Sequence, residues 1–324
     1  MSENKEIGGY FGLELDKTGE YHPNAISLNS GRNCFKYILL AKKPKAVYLP
    51  YYIDRGMTEE SLQSYTKLKF YHINRRLEID SPISLTASEM LLYVNYYSLK
   101  DKYIERLAAK YGNKLIIDNT QSFYSLPLKN IDTIYSTDSK YFGVQSGGYL
   151  YTDKRLDDNF PNDYSYERVK HLLGRLDDCA ANFYEFYKDT MKARYNQDIK
   201  LMSKLSKRIL SSINYEKVKI LRERNFYYIH SFLKSVNQLK FYDGDINGPF
   251  AYPLLIKNGE KVREFLIRNK VYIPTYWKYI LDLKGPSVWE RYLVRNLLPL
   301  PIDQRYGIQD MKQIVNLLEK VIYF

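Results

Sequence analysis

Apolar residues between positions 29 and 151 form short runs, and between these runs they recur every three or four residues. The short runs predict buried strands, and they are AVYLP, KLKFYHI, MLLYVNYY, KLIIDN, DTIYST and GGYLYT. The segments between them predict helices. Strands that alternate with helices indicate an α/β fold with a mainly parallel sheet flanked by helices, whose ligands lie beyond the carboxyl ends of the strands.

Two of these helices have recognisable ends. In residues 29–41, turn and capping residues precede an apolar series, which is typical of a helix that begins after a loop. In residues 98–112, Ser98 and Asp101 fit a capping pair, and Gly112 fits the end of the helix. We therefore predict a helix in each segment.

The second half of the chain mixes both patterns. Residues 198–210 and 310–322 have helical apolar spacing, whereas residues 250–256 and 271–277 resemble strands. This change of pattern predicts a smaller α+β domain that follows the α/β domain.

The length and composition of the chain suit two such domains. Its 324 residues, 45% of them hydrophobic, can bury a sizeable core. We predict a large cofactor-binding domain over residues 1–197 and a small domain over residues 198–324. No apolar run approaches the roughly 20 residues that span a bilayer, and the opening residues lack the apolar core of a signal peptide. We expect a cytoplasmic protein without membrane insertion.

The chain carries 49 Lys and Arg residues against 37 Asp and Glu residues, a formal net charge of +12. This balance suits an anionic partner, whether nucleic acid, a membrane surface or a phosphorylated small molecule. The basic residues are spread along the chain without a zinc-finger or RNP-type motif, so nucleic acid is a weak alternative and we expect no such partner. Two cysteines without a CxxC pair and four scattered histidines predict neither a disulfide framework nor a metal site.

One candidate for chemistry is Asp118, which directly follows the apolar residues Leu115, Ile116 and Ile117. In a parallel sheet this position presents a side chain to a ligand at the carboxyl edge. Aspartate is also common where a strand passes into a turn, so a turn or helix cap is the alternative interpretation.

A second candidate lies in residues 136–148, STDSKYFGVQSGG. Most lysines are solvated surface groups, so Lys140 has to be judged by its neighbours. It stands between a predicted strand that ends near Ser136 and another that begins at Gly147 and Gly148. These glycines fit either a tight turn or a close approach of the backbone to a ligand.

Four stretches in the order NSGRN, IIDNTQ, STDSK and GVQSGGYLY resemble the cofactor-binding series of fold-type-I pyridoxal-phosphate (PLP) enzymes, particularly the DegT/StrS family of nucleotide-sugar aminotransferases. Four more, EIGGYFGLEL, RERNF, YIPTYW and LPLPIDQRY, are similar to members encoded with surface-polysaccharide genes. The resemblance covers nearly the whole chain. It implies a fold-type-I PLP-dependent transferase, with PLP as cofactor, and a homodimer with cofactor sites at the subunit interface.

The resemblance assigns both candidates to the reacting part of the cofactor. PLP needs an amine for a Schiff base and an acid that keeps its pyridine nitrogen protonated. By resemblance, Lys140 would form the internal aldimine and then carry protons between the substrate carbon and the cofactor. Asp118 would pair with the pyridinium nitrogen, and Gln121 matches a position near the ring and its phenolic oxygen.

The resemblance also assigns residues to the cofactor phosphate. Ser30 and Gly31 fall at a predicted helix start, where free N–H groups favour an anion, and a plain N-cap is the alternative. Ser136 resembles the serine that holds the phosphate in the family. It stands one residue nearer the lysine than that serine usually does, so Thr137 and Ser139 are further candidates for part of this role.

Other positions depart from the family pattern or match it loosely. Gln145 and Ser146 stand before the paired glycines, in a stretch that commonly carries an acidic residue in the family. Tyr51 and Tyr52 are the nearest candidates for the aromatic cover of the ring, and a place in the core is their alternative. Tyr195 and Asn196 fall where related enzymes have residues that reach the cofactor of the neighbouring subunit.

These residues favour a PLP-dependent aminotransferase. By resemblance, its substrates are a nucleotide-linked keto-sugar and an amino-acid donor, glutamate, in surface-polysaccharide biosynthesis. Arg32, Arg194 and Arg305 are candidates for binding the diphosphate, because arginine donates in pairs to phosphate oxygens. One alternative is a catalytically degenerate relative that binds a partner, although the pair Lys140 and Asp118 argues against it. The other is a PLP-dependent sugar-modifying enzyme such as a dehydratase, in which histidine replaces the lysine.

Overall fold

The computed structural model of the protein describes residues 7–137, 140–157, 159–195, 197–241 and 246–322. The strands are β1 (Ile26–Leu28), β2 (Ala46–Pro50), β3 (Lys67–Tyr71), β4 (Glu89–Val94), β5 (Leu115–Asp118), β6 (Asp132–Ser136), β7 (Gly148–Tyr151), β8 (Tyr252–Leu255) and β9 (Leu297–Leu300). The α-helices are α1 (Gly31–Lys42), α2 (Glu60–Gln63), α3 (Asp101–Tyr111), α4 (Lys170–Asp177), α5 (Tyr184–Lys192), α6 (Lys204–Leu210), α7 (Tyr215–Leu233), α8 (Gly259–Arg268), α9 (Val288–Asn296) and α10 (Ile308–Ile322). Short 3-10 helices cover Arg55–Met57, Tyr96–Ser98, Gly112–Lys114, Tyr166–Arg168, Ala180–Phe183 and Lys278–Asp282.

Within these ranges seven strands form one sheet in the order β1-β7-β6-β5-β4-β2-β3. Strands β3, β2, β4, β5 and β6 pair in parallel, while β7 runs antiparallel between β6 and β1. Every residue of β4, β5 and β6 is buried, as expected for parallel strands covered on both faces. The predicted α/β fold with a mainly parallel sheet is confirmed.

A second sheet pairs β8 with β9 in antiparallel orientation. Helices α7, α8 and α10 bury apolar residues around these two strands, among them Phe226, Leu266 and Leu318. This cluster forms a separate core in the C-terminal part of the chain. The sequence pattern predicted β8 but not β9.

The two parts of the chain share contacts across the predicted boundary. The backbone N–H of Met202 donates to the Ser27 carbonyl oxygen at 3.0 Å. Leu293 of α9 belongs to the same buried cluster as the large sheet. The division into residues 1–197 and 198–324 stays a prediction.

The predicted strand at residues 271–277 is wrong. These residues have no regular structure before a turn at Tyr276 and Trp277. Aromatic contacts hold them instead, since the Trp277 ring lies edge-on to the Tyr52 ring with 4.4 Å between their centroids. The apolar side chains of this segment are therefore buried by packing, without strand pairing.

Two helix predictions are wrong in part. Of residues 198–210 only Lys204–Leu210 is helical, because backbone hydrogen bonds to the β1 region hold the preceding residues extended. Ser98 and Asp101 do not form a capping pair, because the Ser98 hydroxyl donates to the Gln121 carbonyl oxygen at 2.8 Å.

None of the helices in the described ranges is long and apolar enough to cross a membrane.

Candidate active site

The central strand of the large sheet ends in a buried carboxylate. Asp118 is the last residue of β5 and is flanked by Val94 of β4 and Ile134 of β6. Its Oδ1 accepts a hydrogen bond of 2.9 Å from the backbone N–H of Thr120. Burial raises the pKa of Asp118, while the hydrogen bonds of Thr120 and the charge of Lys140 act in the opposite direction. The charge of Lys140 therefore acts on the Asp118 carboxylate at the carboxyl edge of the sheet.

Lys140 lies on the loop between β6 and β7. Its backbone N–H donates to the Thr137 carbonyl oxygen at 3.3 Å, which holds the loop against the end of β6. Its Nζ lies 5.8 Å from the ring centroid of Tyr276, a residue of the C-terminal part of the chain. An ammonium group is attracted to the face of such a ring. The amine thus lies within the influence of both the Asp118 charge and the Tyr276 ring.

The first turn of α1 forms a backbone cradle at the same edge. Ser30 is the N-cap residue, and its Oγ accepts from the Asn33 N–H at 3.2 Å. A Cβ atom added to Gly31 would lie 3.0 Å from Cβ of Ser136 and 3.6 Å from Oγ1 of Thr120. The helix start therefore meets the ends of β5 and β6. Its free N–H groups and its dipole make this cradle favourable for an anion.

Gly148 allows α1 to reach this position. A Cβ atom on Gly148 would lie 2.5 Å from the carbonyl carbon of Ser30 and 2.9 Å from Sγ of Cys34. No side chain fits in that space, so glycine is required where β7 and α1 meet. The N–H of Gly147 also donates to the Asn29 carbonyl oxygen at 2.9 Å. The paired glycines therefore serve close backbone packing beneath the cradle.

Hydroxyl groups end β6 next to the cradle. Ser136 is buried, and its Oγ would lie 3.5 Å from a Cβ atom at Gly31. Thr137 is fully buried, and its Oγ1 has no hydrogen-bond partner among the residues that the structure describes. A buried polar group left without a partner costs about 1–3 kcal/mol, which a phosphate oxygen would relieve. With Asp118 and Lys140, these groups fit PLP, which needs an amine, an acid for its ring nitrogen and donors for its phosphate.

Gln121 is buried and supports a strained turn after β4. Its Oε1 accepts from the backbone N–H of Tyr97 at 3.1 Å, and its carbonyl oxygen accepts from the Ser98 hydroxyl at 2.8 Å. Tyr97 and Ser98 have φ angles of 59° and 63°, a left-handed conformation that is unfavourable for residues other than glycine. Gln121 thus stabilises the end of β4, and its role near the cofactor ring stays a prediction.

The candidates for the aromatic cover lie in packed surroundings. Tyr52 is fully buried against Trp277 and Tyr96. Tyr51 stacks on Phe70, with 5.1 Å between the ring centroids. A role for Tyr52 against the cofactor ring stays a prediction. Tyr276 is instead the aromatic residue whose ring contacts the Lys140 amine.

The residues predicted to reach a neighbouring subunit are only partly described. Tyr195 is half exposed, and the Arg32 guanidinium lies 4.7 Å from its ring centroid. Asn196 lies outside the described residues, so its assignment stays a prediction.

Gln145, which precedes the paired glycines, is part of a buried polar network. Its Nε2 lies 2.9 Å from Nε2 of His171, and its Oε1 accepts a hydrogen bond from the Arg194 guanidinium. Burial and the charge of Arg194 lower the pKa of His171. A neutral amide suits this position, because it offers both a donor and an acceptor to these neighbours.

The three arginines considered for the diphosphate already contact protein groups. Arg32 donates to the carbonyl oxygens of Gly56 and Arg194 and lies 3.5 Å from the Glu59 carboxylate. Arg305 donates to both carboxylate oxygens of Asp303, at 2.7 and 2.9 Å. Arg194 donates to Gln145, as described above. These contacts do not favour the diphosphate assignment, which stays a prediction.

Three residues of the site were not found from the sequence. Thr120 stabilises the Asp118 carboxylate through its backbone N–H. Aspartate commonly accepts from the N–H two residues later in a turn, so the IIDNT stretch carries a local signal for this contact. Asp54 acts electrostatically on Asp118 and raises its pKa. Tyr276 reaches Lys140 only through the tertiary fold. For Asp54 and Tyr276 the sequence carries no local signal.

Solved structures with this fold cover nearly the whole chain. A DegT/DnrJ/EryC1/StrS aminotransferase from Brucella abortus matches with a TM-score of 0.59 and 13% identity, over 91% of this chain and 85% of its own. A sugar aminotransferase from Micromonospora echinospora matches with a TM-score of 0.62 and 14% identity, over 92% and 88%. GDP-4-keto-6-deoxy-D-mannose-3-dehydratase from E. coli, solved with hydrated PLP, matches with a TM-score of 0.60 and 16% identity, over 91% and 87%. The chain has the fold of these enzymes.

No protein-family model matches the sequence, and no curated protein matches it either. At such low identities the similarity to solved structures concerns the fold. The prediction of a fold-type-I architecture is confirmed, and the matching structures include the family that the sequence motifs resemble. They also include a dehydratase, so the reaction has to be argued from the residues of the site.

Proposed function

We propose that this protein is a PLP-dependent aminotransferase that transfers an amino group from an amino acid to a nucleotide-linked keto-sugar. The observation that carries the proposal is the joint placement of Lys140 and the buried Asp118 beside the cradle of Gly31, Ser136 and Thr137. Packing alone does not require an amine, a buried acid and an anion cradle at one sheet edge. PLP requires all three.

Each residue has a distinct part in this proposal. PLP, when bound, supplies an aldehyde for the amine and an electron-withdrawing ring. Asp118 holds a proton on the ring nitrogen, because a buried carboxylate favours a positive charge beside it. Lys140 first anchors the cofactor and then moves a proton at the substrate carbon with its Nζ. The N–H groups at the start of α1 hold the phosphate.

The amino group has to pass in two steps. The donor, which we propose to be glutamate, would give up its amino group and depart as the 2-oxo acid, with Lys140 moving the proton at the donor carbon. The keto-sugar then takes up the amino group and departs as the amino sugar. The choice of a nucleotide-linked sugar is supported by the fold shared with a sugar aminotransferase and with an enzyme named for a GDP-sugar.

Lys140 is the residue that favours transamination over dehydration. By resemblance, the sugar dehydratases of this fold have histidine at the position of the lysine, and this chain keeps the lysine. A role in surface-polysaccharide biosynthesis and a cytoplasmic location belong to the same proposal. The first rests on the resemblance of the motifs outside the cofactor region, and the second on the lack of a signal-peptide pattern in the opening residues.

We also propose a homodimer. Several large apolar side chains are strongly exposed near the start of the described chain and around α4 and α5: Ile7, Tyr10, Phe11, Tyr164, Leu176 and Tyr184. Exposed apolar clusters of this kind commonly mark interfaces between protein chains. Light scattering should give twice the 38.5 kDa chain mass. A monomer that is fully active at high dilution would contradict the dimer.

Spectroscopy of the two half-reactions tests the proposed activity. Glutamate alone should convert the bound PLP, absorbing in the visible range, to the pyridoxamine form. A nucleotide keto-sugar should then restore the visible band, whereas simple keto acids should restore it poorly. Efficient restoration by free keto acids, with none across a panel of nucleotide keto-sugars, would indicate an amino-acid aminotransferase instead. Loss of water from the sugar without uptake of nitrogen would indicate a dehydratase.

A further inference from the structure

Arg222 is a buried cation in a part of the chain that the proposed reaction does not use. It lies on α7, in the RERNF motif, and only 1% of it is exposed. Removing a guanidinium from water is costly unless hydrogen bonds compensate for the lost hydration. Its hydrogen bonds go to neutral oxygen atoms. These partners should therefore reveal why the charge is placed there.

The partners of Arg222 belong to three separate segments, two in the C-terminal part of the chain and one in the lysine loop. In the C-terminal part, Nε donates to Oε1 of Gln304 at 2.9 Å, and Nη1 donates to the carbonyl oxygens of Pro249 at 3.0 Å and Phe250 at 3.2 Å. In the lysine loop, Nη2 donates to the carbonyl oxygen of Tyr141 at 3.5 Å. The guanidinium carbon also lies 4.4 Å from the Tyr141 ring centroid. One planar group thus joins the small sheet region to the residue after Lys140.

Gln304, from the LPLPIDQRY motif, holds the same peptide. Its Nε2 donates to the Tyr141 carbonyl oxygen at 2.7 Å. The Tyr141 hydroxyl donates to the carbonyl oxygen of Gln121 at 2.9 Å. Gln121 follows Asp118 by three residues. Arg222 and Gln304 thus hold the carbonyl group of Tyr141, Arg222 covers its ring, and Gln121 accepts from its hydroxyl.

We infer that Arg222 and Gln304 are positioning residues, which fix the backbone of Lys140 by clamping Tyr141 between the C-terminal part of the chain and Gln121. The inference rests on the proposed function of Lys140. Because Tyr141 directly follows Lys140, a fixed Tyr141 peptide determines where the lysine backbone lies. The inference gives two motifs that had no chemical role, RERNF and LPLPIDQRY, a common task at the site.

The fork of an arginine explains why this residue type occupies the position. Its nitrogen atoms donate in several directions within one plane, and its face packs on an aromatic ring. Arg222 uses both properties, since it donates to separate carbonyl groups while it covers Tyr141. A lysine offers a point charge without that plane, so Arg222→Lys keeps the charge and removes the geometry.

Arg263 provides a matched control. It is also buried, and its guanidinium donates to the carbonyl oxygens of Arg295 at 3.3 Å and Leu297 at 2.8 Å. These partners lie at the end of α9 and the start of β9 rather than on the lysine loop. Arg263→Lys should therefore disturb a buried guanidinium of the same kind without touching Tyr141.

Hydrogen exchange of the cofactor-free protein tests the clamp independently of activity. The amide N–H groups of Lys140 and Phe142 both donate to the Thr137 carbonyl oxygen, at 3.3 and 3.4 Å. We expect their exchange to be at least tenfold faster in Arg222→Lys and in Gln304→Met than in the wild type. Arg263→Lys should leave it unchanged. If Arg222→Lys does not fold, Gln304→Met decides, because Gln304 is only partly buried.

Labelling of Lys140 by PLP and borohydride gives the second readout. We expect the labelling rate to fall at least fivefold in the two clamp variants and to stay at the wild-type value in Arg263→Lys. Wild-type exchange and wild-type labelling in both clamp variants would overturn the inference. So would faster exchange spread evenly over the whole C-terminal part, which would indicate lost packing. If wild-type Lys140 takes no label at all, the proposed function fails, and the exchange comparison still decides whether the clamp exists.

Discussion

Two buried carboxylates lie at opposite edges of the large sheet and have different partners. Asp132 begins β6, and its Oδ2 lies 2.9 Å from Nζ of Lys42, which also pairs with Asp153 at 2.7 Å. Asp118 ends β5 and accepts a hydrogen bond from the Thr120 N–H. Burial raises the pKa of both groups.

The difference separates a structural charge from a functional one. At the amino edge the chain supplies its own counter-ion, and the ion pair compensates for part of the desolvation of Asp132. At the carboxyl edge Asp118 is met by the donors of Thr120 and by the charge of Lys140, a residue that the proposed reaction uses. A buried acid of this second kind suits a cation that arrives with a ligand, such as a protonated pyridine ring.

The largest difference in turnover is expected when the lysine at each edge is replaced by alanine. Lys140→Ala should abolish the visible band of bound PLP and lower transaminase turnover by about 10²–10⁴-fold, because it removes the amine that moves the proton in the proposed reaction. Lys42→Ala should leave turnover unchanged but lower the free energy of unfolding by about 2 kcal/mol, because it removes the ion-pair partner of the buried Asp132. Turnover assays and thermal unfolding check both. Equal turnover in wild type and Lys140→Ala would refute the assignment.

The two carboxylates should differ in the same way. Asp118→Asn should still bind PLP but lose about 10²-fold or more in turnover, because the amide cannot keep the ring nitrogen protonated. Asp132→Asn should retain turnover and shift only the unfolding temperature. Comparable loss of turnover in both variants would mean that the two edges do not differ in function.

A smaller effect is expected in the cradle. Gly31→Ala places a methyl group 3.0 Å from Cβ of Ser136, so we expect PLP affinity to fall about tenfold, which corresponds to about 1.4 kcal/mol. Gly307→Ala is the control, because its Cβ would have only the Asp310 carboxylate oxygen nearby, at 3.8 Å. Fluorescence titration with PLP measures both affinities. Unchanged affinity in Gly31→Ala would remove the cradle from the phosphate site.

The smallest effect concerns two threonines at the ends of β6. Thr137→Val removes a buried hydroxyl that has no partner among the described residues, so the cofactor-free protein should be as stable as wild type or more so. PLP affinity should fall about three- to tenfold if that hydroxyl binds the phosphate. Thr133→Val should lower the stability of the cofactor-free protein and leave the PLP affinity unchanged. The Thr133 hydroxyl has a structural partner, because it donates to the Ile131 carbonyl oxygen at 3.2 Å. Lower stability in Thr137→Val without PLP would show that its hydroxyl has a structural partner.

The sequence predicted strands β2 to β7 because each of them is a separate apolar run between turn signals, whereas the short strand β1 was not predicted. The KLIID run gave β5 and with it the position of Asp118, and the next run placed Ser136 and Lys140 at the same edge. Gly31 followed from the capping pattern of α1. These site residues stand at strand ends or helix starts, where local pattern and fold class together determine position.

Other features depend on contacts between distant segments, which no local pattern reports. Ser98 looks like a helix cap but donates to Gln121, with its own backbone in a left-handed conformation. Arg222 and Tyr276 reach the lysine loop from the C-terminal part of the chain. In such cases tertiary packing overrides local preference, so only the fold reveals the contact.

The most direct test of the account is to map the residue that PLP modifies. The wild-type protein should be saturated with PLP, reduced with borohydride and digested, with a second sample exposed to glutamate before reduction. We expect one label, on the peptide that contains Lys140, and its loss in the glutamate-treated sample. A label on another lysine, or no label at saturating PLP, would contradict the assignment of this sheet edge as the cofactor site.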